Sequence, residues 1–118
     1  MSIDPAALEP YREAMGESAD SFVIDLIDTF LDSTPQLVTA LYAAALSGDT
    51  KTFTRSAHTL KSNSAIFGAS LLSGLSFELE SIEKSTDLTT LQPQIDQLKA
   101  EYEQVCSELA NLRQSLAD

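Results

Sequence analysis

Residues 91–116 read LQPQIDQLKAEYEQVCSELANLRQSL, and their apolar positions decide the architecture. Leu91, Ile95, Leu98, Tyr102, Val105, Leu109, Leu112 and Leu116 recur at spacings of four and three, which puts one apolar stripe along a long helix. Thr89 or Thr90 is the expected cap. Pro93 falls in the tolerant first turn, where a missing amide hydrogen leaves no helical bond unmade. Such a stripe fits a bundle helix or a coiled coil. Four other amphipathic segments lie upstream and need partners, so a bundle is expected.

Working back along the chain, Ala69 to Lys84 is predicted as a helix presenting Leu72, Leu75, Leu79 and Ile82. Before it, Asp49 or Thr50 should cap a helix running to about Phe67, with Gly68 as its stop. Ser18 can cap an earlier helix that carries Phe22, Leu26, Ile27, Phe30, Leu37, Leu41 and Ala45 on its apolar face. Pro35 should kink or split that helix, and Gly48-Asp49 should end it. Asp4-Pro5 opens a short first helix that Gly16 closes, broken or delayed by Pro10. No alternating β-branched run interrupts this pattern. The fold class read from it is all-α: an antiparallel up-and-down four-helix bundle with a short additional N-terminal helix. Its 118 residues support one modest core, so residues 1–118 are read as a single domain.

Composition narrows the function. Eighteen acids against seven bases give a net charge of -11, which would repel nucleic-acid phosphates. No apolar run approaches the ~20 residues of a membrane span, and the N-terminus lacks a signal-peptide layout, so no membrane role and a cytoplasmic location are expected. One cysteine and one histidine cannot build a zinc site or an internal disulfide, and Cys106 is read as a small core residue. A haem or metal bundle lacks its second histidine. No glycine-rich phosphate loop or ATP-binding pattern is present, so the chain is not read as an enzyme with its own ATP site.

The single histidine stands out against this background. Asp49 and Glu78 bracket 28 residues without an acid, and inside them lie His58, Lys51, Arg55 and Lys61. At about 100° per residue, Phe53, Ala57, Leu60, Ser64 and Phe67 fall within roughly 40° of one direction, the buried face. His58 falls about 140° from that direction, in one sector with Lys51, Arg55, Ser62 and Ala65. The imidazole should stand in solvent among cations and short side chains, where a partner can bring an atom to it. Lys61, three positions on, could pair with a phosphoryl group carried by the ring.

Residues 57–69, Ala-His-Thr-Leu-Lys-Ser-Asn-Ser-Ala-Ile-Phe-Gly-Ala, resemble the signature of histidine-containing phosphotransfer (HPt) domains, roughly Ala-His-x-Leu-Lys-Gly-x-Ser-x-x-hydrophobic-Gly-Ala. Phe30-Leu31, Pro35-Gln36-Leu37, Leu41 and Gly48-Asp49 upstream and Leu72 and Leu79-Glu80 downstream match as well, so the resemblance covers about residues 18 to 112. It implies a phosphorelay phosphocarrier: His58 would take a phosphoryl group from a receiver-domain aspartyl phosphate and pass it to another receiver aspartate. The implied partners are response-regulator receiver domains or a hybrid histidine kinase. No resident cofactor is implied, because Mg²⁺ would come with the receiver's acidic pocket.

By the same resemblance Lys61 supports the phosphoryl group, Glu80 takes the place of a residue set against the imidazole, and Lys84 takes that of a basic residue one turn later. Apart from the resemblance, the exposed sector of α-helical steps around His58 is the expected docking surface, with Arg55, Ser62, Ala65 and Ala69 on it, together with the adjacent face near Met15 and Ile24. One position departs from the pattern, Ser62, where the family usually has glycine. A monomer is expected, since the heptad stripe is already used inside a bundle. The alternative reading is a non-catalytic helical interaction module in which His58 is incidental. Either a free-standing protein or a domain of a larger kinase fits.

Overall fold

A computed structural model describes all of residues 1–118, and each regular element in it is helical. The Asp4 carboxylate accepts from the Ala6 amide at 3.0 Å and starts a 3₁₀ turn, Pro5–Leu8. Pro10 sits in the first turn of helix α1, Glu9–Met15, so the first element is broken in two, as Pro10 requires. Gly16, at φ +55°, ends it. Helix α2 spans Ala19–Ser33 and α3 spans Pro35–Ser47. Ser18 does not cap α2 with its side chain; a 3₁₀ turn, Gly16–Ser18, leads in instead.

Only Thr34 separates α2 from α3, and it keeps helical φ and ψ of -84° and -24°. Pro35 therefore breaks the ladder without turning the chain away. Thr34 is fully buried there. Its hydroxyl donates to the Phe30 carbonyl at 2.6 Å, which commits its one hydrogen and makes Tyr102 the donor across the 2.8 Å contact to it. Two buried hydroxyls are thus satisfied at the kink, and burial pushes the Tyr102 phenol up.

Helix α4, Thr50–Ala65, is capped by Asp49, whose carboxylate accepts from the Thr52 amide at 3.1 Å and the Thr52 hydroxyl at 2.7 Å. Helix α5 covers Ser70–Glu80 and stops four residues short of Lys84. The long α6 runs from Gln92 to Ala117. Its lead-in is a 3₁₀ turn, Leu88–Leu91, capped by Asp87 rather than by Thr89 or Thr90; the Asp87 carboxylate accepts from both the amide and the hydroxyl of Thr89.

Partners across helices run in opposite senses. Ser73 bonds Lys61 while the later Glu80 meets the earlier His58, and Tyr102 meets Thr34 while Arg113 meets Asp28. That is the antiparallel up-and-down bundle, with the kinked α2–α3 rod, α4, α5 and α6 as its four members and α1 beside them. One apolar cluster of 24 buried residues joins them. Its members on α2 and α3 include Val23 and Val38, while Phe22 and Leu26 are only half-buried and Phe22 packs on Tyr11 at 6.0 Å. The α6 stripe is buried through Leu109. Leu112 and Leu116 reach past the core and are half-covered. Cys106 is half-buried beside the cluster, and burial pushes its thiol up.

The N-terminal residues form a strap over one end of the bundle. The Ser2 and Ile3 amides each donate at 2.9 Å to the two oxygens of Glu108, and Asp4 donates its amide to the Phe67 carbonyl at 2.9 Å. Ile3 and Leu8 are buried beneath it. Gly68 lies under the strap at φ +64°, and a Cβ there would come within 2.7 Å of the Asp4 Cβ. Both the conformation and the space require glycine.

Candidate functional site

The angular count on α4 holds in three dimensions. Phe53, Ala57, Leu60 and Ser64 are fully buried and Phe67 nearly so. His58 stands on the opposite side with 58% of its side chain exposed. Lys51, Arg55, Ser62 and Ala65 are exposed in the same sector. The cap on Asp49 and the α-helical geometry from Thr50 onward set this phase, so the outward position of the ring follows from local structure.

What stands against the ring comes from the next helix. The last residue of α5, Glu80, places Oε1 at 2.5 Å from His58 Nδ1 and Oε2 at 2.7 Å from Lys61 Nζ. The lysine contact is ionic rather than a well-aligned hydrogen bond, and Oε2 has no other partner. One carboxylate thus bridges imidazole and ammonium. The pairing with Lys61, and then with His58, holds the Glu80 carboxyl below its usual range. With Glu80 accepting at Nδ1, the hydrogen of the neutral ring resides there, and Nε2 carries the free lone pair with no partner in the chain. The cation field around His58 is therefore answered by one anion in direct contact, which sets the tautomer.

Lys61 is held from a second side. Its Nζ lies 5.3 Å from the centroid of the Phe77 ring, and the Ser73 hydroxyl donates to its carbonyl at 3.3 Å. Phe77 and Glu80 are three apart on α5 and so present a ring face and a carboxylate to the same ammonium. Lys84 lies beyond the helix end. It makes no ion pair with Glu80, and instead lines an open groove of about 580 Å³ with Thr50, Lys51, Thr54, Glu80 and Ile82. Ala65 borders a second groove of about 440 Å³ whose wall includes Lys61, Gly74 and Phe77.

Ala69 is not on the exposed sector. It is fully buried in the apolar cluster, because α4 ends at Ala65 and the chain turns through Gly68, after which a 100° step no longer predicts direction. Its amide donates to the Ser64 carbonyl at 3.2 Å, and it becomes the cap position of α5. Phe77 was the contact that reading the apolar stripes passed over. It falls about 165° from the centre of the Leu72, Leu75 and Leu79 stripe, so the angle count used for His58 would have placed it outside; it is 54% exposed.

The Hpt domain family model matches residues 25–108. This chain belongs to the Hpt family. Among solved structures it is similar to histidine-containing phosphotransfer protein B (HptB) from Pseudomonas aeruginosa PAO1, with 29% identity and a TM-score of 0.76 over 97% of this chain and 96% of that one. No curated protein matches significantly. An Hpt protein is a phosphorelay phosphocarrier of two-component signalling, a transfer intermediate and not a kinase, which acts with receiver domains and histidine kinases. In this Hpt chain the histidine, the lysine one turn on and the glutamate of the next helix form one contiguous cluster, and no helix is long and apolar enough to cross a membrane.

Proposed function

We propose that His58 is the phosphorylated residue and that Nε2 is the atom that carries the group. The observation behind this is the Glu80 contact at Nδ1, which leaves Nε2 as the exposed nucleophile on a ring 58% open to solvent. The Nε2 lone pair attacks the phosphorus of a receiver aspartyl phosphate in line. The P–O bond to the aspartyl oxygen breaks, and the aspartate leaves with its electron pair. The product ring bears the phosphoryl group on Nε2 and a hydrogen on Nδ1, and its positive charge faces the Glu80 carboxylate. Transfer to a second receiver reverses these bonds.

In this reading Lys61 pairs with a phosphoryl oxygen, a charge-assisted contact beside the developing charge. Arg55, Ser62 and Ala65 receive the partner, and Lys51 and Lys84 add positive charge at one edge. Ala69, being buried, serves the packing beneath that surface. In the same reading Mg²⁺ comes with the receiver's acidic pocket, while the carboxylate at the ring is engaged by Lys61. The chain has no ATP site of its own, acts as a monomer and works in the cytoplasm.

The test is transfer from a phosphorylated receiver, scored as acid-labile, base-stable label on this protein. His58→Gln should remove the label entirely and leave the helical circular dichroism spectrum unchanged, because the side chain is outside the core. Label that persists on the His58→Gln protein defeats the assignment and favours an interaction module.

A further inference from the structure

Lys61 has two restraints of different kind, and the difference has a consequence for transfer. Glu80 holds the ammonium and also neutralises it. The Phe77 face holds the same ammonium at 5.3 Å and leaves its charge intact. An ammonium that must serve an incoming phosphoryl group has to leave Glu80 Oε2, while Glu80 Oε1 keeps His58 Nδ1. A lysine stem has four rotatable carbons and a strongly hydrated head, so a lysine released from its only anchor would spread over solvent rotamers. The ring face prevents that. Lys61 is already only 26% exposed, and its carbonyl is tied to α5 through Ser73.

We propose that Phe77 is a positioning residue for phosphotransfer: it seats the Lys61 ammonium while that ammonium exchanges the Glu80 carboxylate for the phosphoryl group on His58. The proposal rests on the assignment of His58 above. In this role Phe77 acts through Lys61, the one charged group its ring face is seen to hold. Its ring contributes no core packing that would otherwise account for it, since Leu72, Leu75 and Leu79 form the buried side of α5 and Phe77 is 54% exposed on the other.

A docking contact made by the same exposed ring is the rival, and the two roles predict different kinetics. Phe77→Leu keeps an apolar side chain and removes the π face; Phe77→Tyr keeps the face. Transfer from a phosphorylated receiver should lose roughly two- to fivefold in maximal rate with Phe77→Leu at unchanged KM, and Phe77→Tyr should restore it. In NMR, the Lys61 ε-methylene protons should be shifted upfield by the ring current, in the free protein and in the phosphorylated one alike. A rise in KM alone, or a Lys61 ring-current shift that vanishes on phosphorylation, overturns the proposal. So does a Phe77→Leu protein with wild-type rate. These failures are distinct from failure of the site itself, in which the wild-type protein would take no label on His58 at all.

Discussion

Glu80 and Glu108 do the same electrostatic task in two places and to different ends. Each is a half-exposed glutamate whose two oxygens hold separate groups, and each has its carboxyl pulled below the ordinary range. Glu108 bonds the Ser2 and Ile3 amides and the Gln104 side chain, groups that neither titrate nor seek another anion. Glu80 contacts His58 and Lys61, both ionisable and both, under the proposed function, bound to meet a phosphoryl group. An acceptor matched to backbone amides fastens the chain. An acceptor matched to charged side chains leaves a site that can exchange partners. Mutations at the first should register in stability, and mutations at the second in transfer.

The largest effect belongs to the strap that Glu108 fastens. Gly68→Ala places a side chain at φ +64° and against Asp4, so it should lower unfolding free energy by about 2 kcal/mol or more and loosen the strap. Chemical denaturation measures the loss, and protection of the Asp4 amide from hydrogen exchange reports the strap directly. A wild-type midpoint would mean that the close approach at Gly68 stores no constraint.

Next comes Glu108→Gln. The amide group offers one acceptor where two backbone donors need one each, and the loss should be about 1 kcal/mol with transfer unchanged. Its pH dependence has a definite sign. The Gln104 amide, and then the Ser2 and Ile3 backbone, hold the Glu108 carboxyl down to about 2 from an ordinary 4.5. A lowered folded-state value means the contribution is complete above pH 4.5 and fades as pH falls toward 2. The stability gap between wild type and Glu108→Gln should therefore close across that interval. A gap that stays constant from pH 6 to pH 2 would show that the charge is not what fastens the strap.

Glu80→Gln inverts the pattern. An ion pair this close to solvent adds at most about 0.5 kcal/mol, so the melting temperature should barely move. The transfer rate should fall roughly tenfold, since the amide oxygen still accepts from Nδ1 but no longer offsets charge on the phosphorylated ring. Equal damage to stability and transfer would erase the distinction between the two glutamates. The smallest change is Ser62→Gly. The Ser62 hydroxyl donates to the His58 carbonyl at 3.2 Å and not to the ring, so transfer should be kept or raised by less than about twofold, at about 0.5 kcal/mol of helix stability. Loss of transfer on Ser62→Gly would give that hydroxyl a positive role.

Local geometry was readable in the chain because it needs only a helix and a step angle. The α4 stripe, the outward His58 and the stop at Gly68 all follow from residues within a few turns of one another. The same rule misplaced Ala69, since it was carried past Ala65 into a turn where helical steps no longer apply. It also extended α5 to Lys84 and assigned the α6 cap to a threonine, because apolar spacing does not mark where 3₁₀ turns and loops begin. Phe77 shows the opposite case: the angle count, applied to α5, would have placed it outside, but not beside Lys61.

By itself the sequence determined the all-helical bundle, the buried and open sides of α4 and the exposure of one histidine, all set by backbone periodicity and side-chain hydrophobicity. The tertiary structure alone decided that a single carboxylate spans His58 and Lys61, that an aromatic face backs the lysine and that Glu108 holds the N-terminal strap. Those contacts join residues 16 to 106 positions apart. Their distances depend on how whole helices pack, a property no local spacing encodes.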